Sequence, residues 1–94
     1  MSKKVIVYGT PSCPDCVVLK DLFDKEGIHY GYVDILSGLG HLKKFLNLRD
    51  SYAGVFKTVT DNLKIGIPAV VVDDTEVYAE LLTTAPDFDL EKFR

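Results

Sequence analysis

The chain has 94 residues, 47% of them hydrophobic and 27% charged, a composition that suits one folded domain with its own core. A formal net charge of −3 gives no basic surface for nucleic acid, and Lys43-Lys44 reads as a solvated helix face. No apolar run approaches the roughly 20 residues of a membrane span, and Val5-Ile6-Val7 after Met1-Ser2-Lys3-Lys4 is too short for a signal peptide. A cytoplasmic location is expected.

Lys3 to Tyr8 predicts a strand, because Val5-Ile6-Val7 is β-branched and apolar on both faces. Gly9-Thr10-Pro11-Ser12 then makes a loop. Pro14 suits a first helical turn, where its missing N–H costs nothing. A helix follows from about Pro14 to Glu26, with Val18, Leu19, Leu22 and Phe23 on one arc and Lys20, Asp21, Asp24 and Lys25 opposite. Gly27 is placed to end it. Cys16 falls at the edge of the apolar stripe and Cys13 on the polar side, so Cys13 is expected to be the more exposed thiol.

Ile28 to Ile35 predicts a second strand, and strand, helix, strand suggests a right-handed β-α-β unit. Leu39, Leu42, Phe45 and Leu46 repeat at helical spacing through about Leu48. Tyr52, Val55, Phe56, Val59 and Leu63 form a second stripe, read as a core-facing helix entered at Asp50 or Ser51 and released before Gly66. Ile67-Pro68 opens the strand Ala69-Val70-Val71-Val72. Asp73-Asp74 supplies a tight turn into a partner strand, Thr75 to Glu80. Asp87 to Arg94 predicts a short terminal helix with Phe88 and Phe93 inward.

Both cysteines lie in Cys13-Pro14-Asp15-Cys16. Without a secretory signal, that spacing argues against a structural disulfide framework and toward redox or metal chemistry. Two thiols so spaced can close a disulfide, and the adjoining helix N-terminus offers free N–H groups and a positive dipole end to a thiolate. That end favours a thiolate by about 0.3–1 kcal/mol. An ionised Asp15 roughly 7 Å away opposes it by about 0.6–2.4 kcal/mol at effective dielectrics of 80 to 20. The ranges overlap, so the net sign stays open. Lys20 projects near Cys13 but reads more readily as a solvated helix residue. A closed zinc site takes four ligands, and neither histidine, His29 or His41, has ligand-like spacing to the pair.

The chain resembles the glutaredoxin branch of the thioredoxin fold. The resemblance rests on Tyr8-Gly9-Thr10-Pro11-Ser12-Cys13-Pro14-Asp15-Cys16 after the first strand and on Ile67-Pro68 opening the strand Ala69–Val72, with a hairpin and terminal helix after it. It spans nearly the whole chain. It implies an α/β thioredoxin-like fold, a mixed four-stranded sheet with helices on both faces, in the order β-α-β-α(α)-β-β-α. It implies Cys13 as nucleophile and Cys16 as resolving thiol, set in an active-site loop with Pro11, Ser12, Pro14 and Asp15. It implies a cis Ile67–Pro68 bond and a backbone at Ile67 that pairs with the substrate. Pro68, Tyr8 and Thr10 complete the expected substrate-binding set. Thr10 stands where the family commonly has a lysine, Asp15 where an aromatic is frequent, and Ala79-Glu80-Leu81-Leu82-Thr83 where a Gly-Gly turn is usual. The implied activity is dithiol thiol–disulfide exchange by a monomer on a protein disulfide or low-molecular-weight thiol. No bound cofactor or metal is implied. Glutathione serves as co-substrate, or a thioredoxin-reductase-type flavoprotein as reductant. A homodimer sharing a metal or iron–sulfur cluster between Cys pairs is the alternative.

Overall fold

Val5, Val7 and Gly9 are buried while Ile6 and Tyr8 are half-buried, so β1 (Val5–Gly9) serves two cores at once. A computed structural model describes residues 3–94; Met1 and Ser2, read above as leading into the first strand, lie outside the described residues. β1 pairs in parallel with β2 (Gly31–Asp34) and antiparallel with β3 (Ala69–Val72). β3 pairs antiparallel with β4 (Glu76–Tyr78), giving the mixed sheet order β2-β1-β3-β4. This is the thioredoxin-like α/β arrangement.

On one face, Val5, Val7, Val70 and Val72 pack against Leu19 and Phe23 of α1 (Pro14–Lys25), with Ile28, Leu81 and Phe93. On the other, Ala69 and the half-buried Tyr8 meet Phe45 of α2 (Leu39–Ser51) and Phe56 and Val59 of α3 (Ala53–Asp61). Alternation along β1 and β3 thus feeds both layers. Val18, expected on the apolar arc, is exposed; the buried arc of α1 is narrower and runs through Cys16, Leu19 and Phe23.

Several boundaries differ from expectation, each for a local reason. The second strand is shorter than Ile28–Ile35 because Ile28 is occupied in closing α1: its N–H donates to the Phe23 carbonyl at 2.9 Å, with Gly27 at φ 68. The helix expected to start at Asp50 or Ser51 starts at Ala53, because α2 continues to Ser51 and Tyr52 caps both helices. Burial of Phe45 against Phe56, centroids 6.1 Å apart, outweighs the capping preference of Asp50 and Ser51. Leu63, expected in the core, lies outside α3 and is 95% exposed. β4 stops at Tyr78 because Glu80 turns into a one-turn helix, α4 (Leu81–Thr84), that the periodicity does not reveal. The terminal helix contracts to a 3-10 turn, Leu90–Phe93, where Asp89 accepts from the Glu91 N–H at 3.0 Å. Phe93 is buried and Phe88 half-buried, both packed into the first core.

Candidate active site

Cys13 occupies the N-cap of α1 in an extended conformation, φ −100 and ψ 116. Its N–H donates to the Thr10 carbonyl at 3.1 Å, and its carbonyl accepts from Val17 at 3.2 Å. Pro14 follows in the first turn, and no side chain caps the helix. The Cys13 thiol therefore stands where a capping acceptor would stand, at the positive end of the helix. Asp15 is exposed in the first turn. Lys20 is engaged along the helix, with Nζ 3.4 Å from Asp24.

The two thiols are unlike. Both are free, so the structure describes the dithiol form, with Cys13 half-buried and Cys16 buried. Burial is the main cause that pushes the Cys16 thiol up to about 12, helped by its hydrogen bond with Cys13 and by the charges of Cys13 and Asp15. A backbone hydrogen bond from Thr10 pulls the other way. Tyr32 closes the space behind the pair. Its hydroxyl and Cys16 Sγ would lie 3.0 and 2.8 Å from a Cβ at Gly9, so only glycine fits between them. Burial, then the charges at Cys16, Asp34 and Cys13, pushes the Tyr32 phenol up to about 12.

Cys13 opens onto a groove of about 350 Å³ lined by Thr10, Ser12, Leu36, the Leu63–Ile67 segment and Glu80. The Ile67–Pro68 bond is cis and Pro68 is fully buried, presenting Ile67 at the groove wall. Thr10 is buried, and its hydroxyl accepts from the Ser12 N–H at 3.5 Å. Pro11 and Ser12 are exposed beside Cys13. Tyr8 is not among the residues of this groove. It lies on the α2 side, 6.1 Å from the Phe45 ring, and lines a separate groove with Lys44, Asn47 and Tyr52.

Leu63, Lys64, Ile65, Gly66 and Glu80 escape the sequence reading as groove residues. Leu63 carries a helical-stripe signal that points to the core, and a glutamate after a strand ordinarily faces water. The family turn that Ala79-Glu80-Leu81 replaces is the one sequence signal at this position. His41 Nδ1 is 2.6 Å from Ser37 Oγ, and His29 lines a different depression beside Lys3 and Arg94. Among the described residues, no group of three or more His, Cys, Asp or Glu side chains is placed to hold a metal ion. No described helix is long and apolar enough to cross a membrane.

The glutaredoxin family model matches residues 5–77, from β1 through the hairpin. A protein of Haemophilus influenzae, described as uncharacterized, is 36% identical over 81 residues, covering 86% of this chain and 92% of the relative. A cysteine pair at a helix N-terminus beside a cis-proline, on this sheet and under this match, places the chain in the glutaredoxin family, whose general chemistry is thiol redox.

Proposed function

We propose that the protein is a dithiol thiol–disulfide oxidoreductase that reduces protein or glutathione-mixed disulfides through Cys13 and Cys16. The observation that carries this reading is the asymmetry of the pair: an accessible thiol at a helix N-cap and a buried one pushed up to about 12 behind it. The Cys13 thiolate attacks one sulfur of the substrate disulfide, forming the Cys13–substrate bond and expelling the other half as a thiolate, which takes up a proton. Cys16 then loses its proton and attacks Cys13 Sγ. The Cys13–Cys16 bond forms, the Cys13–substrate bond breaks, and the second half leaves as a thiolate. Two electrons have passed from the pair to the substrate.

The high Cys16 value serves this order. Held as a thiol at neutral pH, Cys16 donates toward Cys13 rather than competing as nucleophile. The groove wall at Ile67 supports backbone pairing with an extended substrate strand. A second reductant resets the disulfide. Thr10 in place of a lysine and the absence of a Gly-Gly turn after β4 favour a thioredoxin-reductase-type flavoprotein over glutathione. A free dithiol of this kind suits a reducing, cytoplasmic compartment, and the cycle needs no second subunit.

The test is a trapping experiment. Reduced Cys16→Ser protein, mixed with an excess of a peptide disulfide and no other thiol, is expected to hold one peptide on Cys13, while Cys13→Ser holds none. Adducts absent from Cys16→Ser, or disulfide reduction that survives Cys13→Ser, would refute the assignment.

A further inference from the structure

Among the described residues, four that are not glycine adopt left-handed backbone angles: Leu63 (φ 59), Asp73 (φ 52), Asp74 (φ 60) and Glu80 (φ 46). Asp73 and Asp74 are the central residues of the tight turn that leaves β3, closed by the Thr75 N–H donating to the Val72 carbonyl at 3.1 Å, and a turn with left-handed angles at both central positions accounts for them. The other two both line the groove at Cys13. Backbone strain of this kind collects where a side chain is held for function. The side chains held here are a leucine 95% exposed to solvent and a glutamate 8% exposed.

Glu80 carries a second anomaly. Its Oε2 is shut from solvent and has no hydrogen-bond partner, the one such side-chain atom found among the described residues. A buried carboxylate oxygen without a donor is unfavourable, and native structures rarely leave one so. The backbone fixes the residue firmly: its N–H donates to the Gly66 carbonyl at 3.2 Å, and its carbonyl accepts from Thr83 and Thr84. The side chain is thus anchored one residue from Ile67, where substrate backbone would lie. Lys64 shares the groove but is exposed, and no ion pair joins it to Glu80 among the described residues. Leu36, Leu63 and Ile65, all exposed, make the remaining wall apolar.

The geometry points to Glu80 as a specificity-determining residue: the groove selects disulfide-bearing polypeptides with a basic side chain beside the reacting cysteine, its ammonium or guanidinium meeting the Glu80 carboxylate. The inference rests on the dithiol reading above and adds the class of substrate. A polypeptide is indicated rather than a small amine, because only flanking side chains cover Leu36, Leu63 and Ile65. The aliphatic stem of Lys or Arg fits such a wall while its head reaches the acid.

The test uses single oxidation of the reduced protein, followed by acid quench and mass spectrometry. The oxidants are two end-blocked peptide disulfides with Lys or norleucine beside the cysteine. Each rate is divided by that peptide's rate with dithiothreitol, which removes intrinsic disulfide reactivity. A preference of about tenfold for the Lys peptide is expected, the size of one charge-assisted hydrogen bond. It should collapse toward one in Glu80→Gln and widen in Lys64→Met, which removes the competing cation. Equal rates in the unaltered protein would overturn the inference without recourse to any variant. A preference that persists in Glu80→Gln would overturn it too, assigning the attraction to overall charge. Cystamine, an ammonium without flanking side chains, matching the Lys peptide would overturn the polypeptide assignment. If neither peptide oxidises the pair, the dithiol reading itself fails.

Discussion

A methyl group at Gly9 would sit 2.8 Å from Cys16 Sγ and 3.1 Å from Cys16 Cβ, closer than carbon and sulfur tolerate. Neither neighbour can yield easily, since Cys16 is fully buried at the start of α1. Gly9→Ala is therefore expected to destabilise the protein by about 1–3 kcal/mol, as overpacking does, and to slow the resolving step, both read by urea melts and by rapid-quench oxidation. Cys16 also ties stability to pH. Its value rises from 9.0 to about 12 on folding, so the folded state holds its proton longer than the unfolded chain. The corresponding stability is fully present below pH 9.0 and is lost as pH rises toward about 12. Denaturant melts across that window should show stability falling, and Cys16→Ser should flatten the slope; a slope unchanged by the substitution would refute the cause. At this scale the sequence is informative about Cys13 and Cys16, because motif spacing and helical projection both bear on them. It is silent on the role of Tyr32 and marks Glu80 only as a departure from the family turn, because both reach the site through chain segments brought together only by the fold.

Leu63 closes α3. The Lys64 N–H donates to the Val59 carbonyl at 2.8 Å and the Leu63 N–H to Thr60 at 3.0 Å, the double hydrogen bond that closes a helix through a left-handed residue. Glycine is the usual occupant. Leucine there pays backbone strain and, being almost wholly exposed, gains little burial in return. Leu63→Gly is expected to stabilise the protein by about 0.5–1 kcal/mol, the left-handed penalty less the entropy cost of glycine. It should also slow oxidation by apolar peptide disulfides, since a wall of the groove is lost. Thermal melts and the single-oxidation assay check the two halves. The same residue shows why helical spacing misleads near a terminus. Tyr52, Phe56, Val59 and Leu63 share a stripe, but the stripe outlasts α3, which ends at Asp61. At α1 the opposite holds: Pro14 in the first turn and Gly27 after the last are backbone signals, and both ends are placed correctly from them.

Over the whole molecule, the sheet is shared between two cores. Phe93 seals the first, with ring centroids 5.3 Å from Phe23, 5.7 Å from Phe88 and 5.8 Å from Tyr78. Arg94 then bonds the Glu26 carbonyl at 2.9 Å, fastening the 3-10 turn to the end of α1. Phe93→Ala should cost about 3–5 kcal/mol, measured by chemical denaturation, although the residue is remote from Cys13 in sequence and lines none of its groove. The order of strands and helices is legible because β1 and β3, at the centre of the sheet, are β-branched runs and each long helix carries an apolar stripe. What stayed hidden is α4, together with the shorter, 3-10 form of the expected terminal helix, because both depend on packing against the finished sheet.

The proposed function makes Cys13 and Cys16 one redox unit. The most direct test equilibrates the protein in glutathione buffers of defined poise, quenches with acid, and weighs the species. A cooperative loss of two hydrogens is expected, localised to Cys13–Cys16, with any transient glutathione adduct on Cys13 alone. Two thiols that oxidise independently, or a stable adduct on Cys16, would contradict it.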